Sequence, residues 1–299
     1  MISAFGKVIL VGEHAVVHGH PALAAAIDRT VVARFEGRPS GPISLSVPHW
    51  NLTAAAGEAS ALGEALAIVA REVGADHLSV SLHAIAELPP GAGLGSSAAL
   101  LVAVTRALAA AAGRRLPPER IEEIATAGER CFHGTPSGID VALASRGGVG
   151  LFRRGSGLSM IPAPPIELAV GLTGEPRRTG DMVARVKASL DARPQETGAL
   201  LAELGRRAEE AAGAIAHGEL GALAAHMTRA QQILAGLGLS TRGIDALCDA
   251  AARAGASAAK LTGAGGGGAV IALAPGRTGE VVAAWRSLGR EAFAVTAGG

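Results

Sequence analysis

The chain has 299 residues, of which 49% are apolar, and its 27 Lys and Arg against 26 Asp and Glu give a formal net charge of +1. This length suits two domains of roughly 150 residues, each with its own buried core. The near-neutral charge gives no reason to expect a nucleic acid or an acidic membrane surface as a partner.

The cysteine content and the hydropathy of the chain indicate the environment in which the protein folds. The two cysteines, Cys131 and Cys248, are too few for a disulfide framework and lack metal-ligand spacing. We therefore expect two buried free thiols in a reducing, cytoplasmic environment. The Ala-rich stretches are interrupted before 18 apolar residues accumulate, and the first ten residues lack a signal-peptide pattern, so no membrane span is predicted.

The first half of the chain predicts strands and helices in irregular order. Short β-branched apolar runs predict strands at 8–11 and 30–36, and the alternation in LSVSLHAIAEL predicts a strand at 78–88. Composition and proline positions predict helices at 58–73, 96–112 and 118–132, and a further short helix from Ile139 onward. The stretch 147–165 is rich in Gly and Pro.

The second half predicts a strand at 166–174, helices at 180–191, 195–217, 219–236 and 242–254, and strands at 257–261, 269–274 and 291–296. Strands mixed with helices without regular βαβ alternation indicate an α+β fold. We place the domain boundary at about residue 162, which gives domains at 1–162 and 163–299.

The segment PPGAGLGSSAAL (89–100) lies between a predicted strand and a predicted helix. Its glycines, Gly91, Gly93 and Gly95, permit positive φ and a close approach of the backbone to a ligand. The amides at the helix start would favour an anion, and phosphate is the obvious candidate. A flexible turn stays an alternative. The P-loop is excluded because Gly-Lys-Ser/Thr is absent, and the dinucleotide fingerprint because this loop lies far into its domain.

Two other segments contain unusual residues. KLTGAGGGGAVIAL (260–273) holds five glycines between residues 263 and 268, flanked tightly by predicted structure. A backbone that passes close to another element or a ligand explains this run better than a linker does. The segment GKVILVGEHAVVHG (6–19) places Lys7 before a predicted strand and Glu13 and His14 after it. Taken singly, such a lysine is usually solvated and such a histidine usually structural.

Together these segments resemble the three ordered motifs of the GHMP kinases, most closely those of the family's mevalonate-phosphorylating members. GERCFHGTPSGID (128–140) is similar to the segment that carries that family's metal-binding Glu and catalytic Asp, and EPRRT (175–179) to its Arg/Thr loop. The resemblance covers about residues 5 to 275. It implies a ribosomal-protein-like amino-terminal domain, a ferredoxin-like carboxyl-terminal domain, and an active site in the cleft between them. Ala269 and Arg178 depart from the Cys and Asn common in the family, and the shorter chain leaves feedback regulation by isoprenoid diphosphates in doubt.

The resemblance also implies roles for individual residues. The product would be 5-phosphomevalonate, made in isoprenoid precursor synthesis, with Asp140 as the base for the substrate hydroxyl and Lys7 as its cationic partner. Mg²⁺ would be held by Ser97 and Glu129, and mevalonate by Glu13, His14, Arg177 and Thr179, with His14 on its carboxylate or a hydroxyl. ATP would be bound by the loop residues Pro90, Gly91, Ala92, Gly93, Leu94, Gly95, Ser96 and Ser97.

Three alternatives stay open from the sequence. The first is a GHMP kinase for homoserine, a sugar or a phosphorylated isoprenoid intermediate, which the residues GEHAVVHG disfavour. The second is a decarboxylase of the same fold, which is not expected to keep GERxxHGxPSGID. The third is a ligand-binding regulator on the same scaffold, which the presence of Lys7, Ser97, Glu129 and Asp140 disfavours. A homodimer is one assembly that the sequence leaves open.

Overall fold

The computed structural model describes residues 2–133, 137–176 and 179–298, without the side chain of His133. Its strands are β1 (Ile2–Val11), β2 (Ala22–Gly37), β3 (Ser44–Val47), β4 (Leu52–Ala55), β5 (Val80–Ala86), β6 (Val149–Arg153), β7 (Gly157–Ile161), β8 (Ile166–Leu172), β9 (Ala258–Thr262), β10 (Ala269–Leu273) and β11 (Ala292–Ala297). Its α-helices are α1 (Ala61–Val73), α2 (Ser96–Ala111), α3 (Pro118–His133), α4 (Ile139–Arg146), α5 (Thr179–Ala192), α6 (Pro194–Ala216), α7 (Leu220–Gly236), α8 (Arg242–Arg253) and α9 (Thr278–Ser287). No helix in these ranges is both long and apolar enough to span a bilayer.

The α+β class is confirmed, and the long predicted helices end within a few residues of their predicted limits. Helix α1 begins at Ala61 rather than 58, because the Ser60 side chain caps it by accepting a hydrogen bond from the Gly63 amide at 3.1 Å. Strands β6 and β7 form an antiparallel hairpin within the Gly- and Pro-rich stretch 147–165, where no strand was predicted. Strands β3 and β4 and helix α9 were also not predicted.

Contacts divide the chain into two compact units that interleave along the sequence. Unit 1 comprises Met1–Gly6, Arg29–Pro90 and Gly95–Gly147, and unit 2 comprises Lys7–Asp28, Gly91–Leu94 and Gly148–Gly299. Strands β1 and β2 therefore each contribute residues to both units. The division into domains at 1–162 and 163–299 stays a prediction.

Unit 1 is a small sheet with a group of helices. In it β5 pairs antiparallel with the second part of β2 and parallel with β3, which in turn pairs antiparallel with β4. Helix α2 is buried along most of its length and packs on α1, α3 and α4. This burial explains its almost continuous Ala, Leu and Val composition, since a helix that is covered on most sides is apolar on most sides.

A half-buried arginine joins three elements of unit 1. From the middle of α2, Arg106 donates to the Ser145 carbonyl oxygen in α4 at 2.6 Å and to the Ser3 carbonyl oxygen in β1 at 2.5 Å. Burial is the main cause that lowers the pKa of Arg106, although the guanidinium stays charged. These charge-assisted hydrogen bonds hold α4 against α2.

Unit 2 is built around β8, which pairs antiparallel with β10 on one side and β11 on the other, while β10 pairs antiparallel with β9. Helices α8 and α9 pack on these strands. The fully buried Trp285 of α9 lies over β8, where a Cβ at Gly171 would be 2.6 Å from its ring. Glycine at this position therefore makes room for the largest side chain in the core of the unit.

Candidate active site

The glycine-rich loop has the backbone conformation that its sequence predicts. Gly91, Gly93 and Gly95 have φ values of 72°, 87° and 75°, a region that residues with a Cβ rarely adopt. Gly95 precedes the first residue of α2 and has no side chain with which to cap it. Ser96 instead donates its hydroxyl to the Pro89 carbonyl oxygen at 2.8 Å, which closes the loop on itself. An uncapped helix start after a glycine loop is suited to receive a phosphate.

Lys7 lies inside β1 rather than before it, because the strand begins at Ile2. The residue is 2% exposed, so the reading of a solvated lysine at a strand start is wrong. Its backbone amide donates to the Leu94 carbonyl oxygen at 2.9 Å, which joins β1 to the glycine loop within unit 2. A lysine is rarely buried without a charged partner or a functional reason.

Glu13 forms a buried ion pair with Lys260 of β9. Both side chains are inaccessible to solvent, and the Lys260 ammonium donates to Glu13 Oε1. Burial raises the pKa of Glu13 and lowers that of Lys260, while their mutual attraction opposes both shifts. Glu13 is thus held inside the protein. Its predicted contact with the substrate stays a prediction.

His14 occupies a strained turn. Its φ of 61° and ψ of −42°, with a hydrogen bond of 2.7 Å from the Ala15 amide to the Glu13 carbonyl oxygen, describe a γ-turn of the rare type with positive φ. Strain of this kind costs on the order of 1–3 kcal/mol and clusters at functional sites.

The hydrogen bonding of His14 defines its tautomer. Its Nε2 lies 2.8 Å from the Ala264 carbonyl oxygen, which can only accept, so Nε2 carries the proton. Burial is the main cause that lowers the pKa of His14 below its usual value, and the ring is therefore neutral at pH 7. Nδ1 is left as an acceptor, and a neutral ring with an acceptor nitrogen suits a hydroxyl group rather than a carboxylate.

The run of glycines at 263–268 is required by close packing inside unit 2. All five glycines have positive φ. A Cβ at Gly266 would lie 2.9 Å from Met182 Cγ, and one at Gly267 would lie 2.9 Å from the Glu175 carbonyl oxygen. The prediction that this backbone passes close to another element is confirmed.

The remaining predicted catalytic residues lie in unit 1. Asp140 is in the first turn of α4, as predicted, and that helix begins at Ile139 after Gly138 with φ 91°. Glu129 is 2% exposed on α3, and Ser97 lies in the first turn of α2. Within the described ranges no group of three or more His, Cys, Asp or Glu side chains could hold a metal ion.

Unit 2 has a cleft beside the predicted Arg/Thr loop. Thr179 is the first residue of α5, whereas Arg177 and Arg178 lie outside the described residues. At the start of the loop, Glu175 Oε2 accepts a hydrogen bond from the Thr241 hydroxyl at 2.7 Å. The cleft has a volume of about 420 Å³ and is lined by Glu175, Pro176, Met182, Arg185, Gly238, Ser240, Thr241 and Gly266.

Lys260 received no role from the sequence. A lysine at the start of the third motif, within the apolar strand AAKLT, was the only available signal. The two cysteines are free but half-buried rather than buried. The pKa of Cys248 is raised to about 12, chiefly by burial, and that thiol is therefore unreactive at neutral pH.

Comparison with known proteins agrees with this arrangement. The family model "GHMP kinases N terminal domain" matches residues 60–148, and "GHMP kinases C terminal" matches residues 211–291. The mevalonate kinase of Aeropyrum pernix is 39% identical over 282 residues, which cover 91% of this chain and 87% of that protein. The mevalonate kinase of Pyrococcus furiosus is 34% identical over 313 residues, which cover 96% and 92%.

Solved structures give the same result. The crystal structure of L. major mevalonate kinase in complex with R-mevalonate superimposes with a TM-score of 0.89 at 28% identity, covering 99% of this chain and 95% of that one. The two-domain fold implied by the sequence motifs is thereby confirmed. Relatives more than 30% identical, matched over almost their whole length, place the chain in the GHMP kinase family, among its mevalonate kinases.

Proposed function

We propose that this chain transfers the γ-phosphoryl group of Mg·ATP to the primary hydroxyl of mevalonate, giving 5-phosphomevalonate in isoprenoid precursor synthesis. The observation that supports it most is the agreement of the relatives, all named mevalonate kinase, over more than nine-tenths of this chain. The L. major structure contains R-mevalonate itself. A cytoplasmic location and a homodimeric assembly stay predictions.

In this proposal the nucleotide phosphates bind the loop from Pro90 to Ser97. Positive φ at alternate glycines and a helix start without a side-chain cap support the assignment. Backbone amides at such a helix start favour an anion, and the helix dipole adds to their effect. The Ser96 hydroxyl, which donates to Pro89, keeps the loop in shape rather than binding phosphate directly.

Ser97 and Glu129 are the residues that would hold Mg²⁺. A hydroxyl and a carboxylate are hard oxygen donors, and Mg²⁺ commonly takes one or two carboxylates together with substrate phosphates and water. Bound there, the ion would neutralise charge on the transferring phosphoryl group.

Asp140 and Lys7 would act on the reacting hydroxyl. The oxygen of the primary alcohol forms a bond to the γ-phosphorus, the bond from that phosphorus to the β,γ-bridging oxygen breaks, and the proton of the alcohol passes to Asp140. Asp140 lies in the first turn of α4, and a carboxylate is a hydrogen-bond acceptor but a weak base. This suits a loose transition state in which the proton leaves late. The Lys7 ammonium would stabilise the charge on the oxygens.

On the substrate side we assign Glu13, His14, Arg177 and Thr179. Because the His14 ring is neutral with Nδ1 as acceptor, it would receive a hydrogen bond from a hydroxyl of mevalonate. The carboxylate of mevalonate then needs a cationic partner, and Arg177 supplies a bidentate one.

ATP consumption with mevalonate, phosphomevalonate, homoserine and galactose tests the substrate, and Asp140→Asn tests the mechanism. We expect turnover with mevalonate alone. Loss of base assistance should lower kcat of Asp140→Asn by about 10²–10⁴-fold, with KM for both substrates within several-fold of wild type. Turnover of homoserine or galactose instead of mevalonate contradicts the substrate, and a folded Asp140→Asn protein with near-normal kcat contradicts the role of Asp140.

A further inference from the structure

The Lys260 side chain of the Glu13–Lys260 ion pair has all of its hydrogen-bond donors satisfied. The Lys260 ammonium has three N–H donors and meets three acceptors: Glu13 Oε1, the Leu261 carbonyl oxygen at 2.6 Å and the Ile9 carbonyl oxygen at 3.4 Å. All donors of this lysine are therefore satisfied, which favours its charged form despite complete burial.

The two oxygens of Glu13 differ. Oε1 accepts from Lys260, whereas Oε2 is buried and has no hydrogen-bond partner among the described residues. A buried carboxylate oxygen left without a donor is costly, and native structures rarely keep one without a reason. A hydrogen-bond donor that arrives with the substrate would meet this need.

Lys260 also fixes the position of the whole segment. Together with Thr262, whose hydroxyl accepts from the Ile9 amide at 2.8 Å, it connects β9 to β1 through side chains. The turn that holds Glu13 and His14 follows β1 directly, and the His14 ring reaches Ala264 just beyond β9. Lys260 is thus at the centre of the contacts that join the first and third motifs in unit 2.

We infer that Lys260 is a positioning residue for phosphoryl transfer, which keeps Glu13 ionised and oriented so that Oε2 accepts a hydrogen bond from a hydroxyl of mevalonate. The inference rests on the proposed function. It gives Lys260 a role in substrate recognition that is exerted through Glu13.

The ionisation of Glu13 depends on few groups. Lys260 from β9 and Lys7 from β1 both lower the pKa of Glu13, and burial raises it. Cys248 from α8 also faces Lys260 but stays a neutral thiol, because its own pKa is about 12. Removing the Lys260 charge should therefore raise the pKa of Glu13 further, so that a larger fraction of Glu13 is protonated at pH 7.

The test compares Lys260→Met, Glu13→Gln and the double variant, with Lys187→Met on the exposed face of α5 as control. At pH 7, Lys260→Met should lower kcat/KM for mevalonate by about 10- to 100-fold, the range for a lost hydrogen bond to a charged group. KM for ATP should change less. Because Glu13 becomes ionised only at higher pH in this variant, its activity should recover as pH rises, whereas wild type and Lys187→Met keep their shared profile.

The double variant separates positioning from general support of the fold. If Lys260 acts through Glu13, Glu13→Gln/Lys260→Met should have the same kcat/KM as Glu13→Gln alone, since the neutral amide no longer needs the lysine. A double variant whose two losses multiply overturns the inference, as does a Lys260→Met protein with the wild-type pH profile.

The double variant also decides the matter if Lys260→Met fails to fold, because it buries no unpaired charge. Absence of mevalonate turnover in the wild type would remove the proposed function and this inference with it. Turnover in the wild type with unaltered kinetics in the variants removes the inference alone.

Discussion

His14 combines backbone strain with a defined tautomer. The γ-turn directs the ring so that Nε2 meets the Ala264 carbonyl oxygen, and burial keeps the ring neutral. The opposite nitrogen, Nδ1, is consequently an acceptor that is fixed in direction by the rest of the turn. A residue in an unfavourable conformation is retained where its placement contributes to function.

Substitution of His14 by Asn or by Gln tests the two ring nitrogens separately, because each amide side chain takes the place of one of them. Asn places its side-chain oxygen near the position of Nδ1, and Gln extends to the position of Nε2. We expect His14→Asn to keep KM for mevalonate within several-fold of wild type, and His14→Gln to raise KM about tenfold or more through loss of the acceptor. Steady-state kinetics of both variants measure this difference, and the reverse order would show that the link to Ala264 is the important contact.

The pH dependence of the wild type follows from the same ring. Since the pKa of His14 in the folded protein lies below 6.5, the neutral acceptor form persists as pH falls from 8 to 6.5. We expect kcat/KM for mevalonate to stay level over this range. A loss of activity already centred near pH 7, absent in His14→Asn, would contradict the assigned protonation state.

Helices α6 and α7 are joined by an acidic residue between two arginines. Glu203 of α6 accepts from Arg207 of the same helix at 2.8 Å, and from Arg229 of α7 through both oxygens at 2.9 and 3.0 Å. These hydrogen bonds lower the pKa of Glu203 to about 2, with Arg229 as the larger contributor. The pair of helices therefore has a pH-dependent contact on its half-buried side.

The lowered pKa of Glu203 makes the folded protein more stable at neutral pH than at acidic pH. An acid whose pKa is lowered by folding stabilises the protein above its unfolded pKa of about 4.3, and this contribution is lost as pH falls toward 2. We expect Glu203→Gln to lower the free energy of unfolding by about 1 kcal/mol at pH 7, the upper range for partly exposed pairs. The difference from wild type should vanish near pH 2.

Urea unfolding at several pH values measures this. Glu196→Gln is the matched control, because Glu196 lies on the same helix and pairs with Arg193 at 3.4 Å on an exposed surface. Glu196→Gln should lower the free energy of unfolding at pH 7 much less than Glu203→Gln does. Equal losses for both variants at pH 7, or a loss for Glu203→Gln that is constant with pH, would contradict the role of the two arginines.

The elements that could be predicted from sequence are those with long periodic or strongly apolar segments. Helices such as α6 and α7 span several turns, so their apolar spacing outweighs local irregularities. Strands β3 and β4 have four residues each and are stabilised by pairing with a neighbour distant in sequence. Hairpin β6–β7 has glycines with positive φ at its turn, Gly155 and Gly157, and its Gly- and Pro-rich composition led to no strand prediction.

The residues of the candidate site also fall into those that the sequence predicts and those that it does not. The glycine loop, Lys7 and Asp140 could be identified because their motifs are local in sequence. The pairing of Glu13 with Lys260 joins residues 247 positions apart, and the His14 ring contacts Ala264, which is 250 positions away. Burial of both partners decides their chemistry, and burial arises from tertiary packing that no local pattern encodes.

At the scale of the whole molecule, the chain passes between the two units several times. Residues 1–6 and 7–28 belong to different units, as do the two parts of the glycine loop. Neither unit is therefore one continuous piece of sequence. Unit 2 combines residues 7–28 with residues 148–299, so its folding requires segments from both ends of the chain. Contacts distant in sequence generally form more slowly than local ones.

The burial of Lys7 and Lys260 has a practical consequence. The chain has three lysines, and only Lys187 on α5 is exposed. An amine-acylating reagent should therefore modify a single lysine in the folded protein, and Lys7 and Lys260 only after unfolding. Peptide mass spectrometry along a denaturant series would count the modified sites, and early acylation of Lys260 would contradict its burial. Among its lysines the protein thus offers one attachment point for a fluorophore or a surface, together with two internal reporters of its own unfolding.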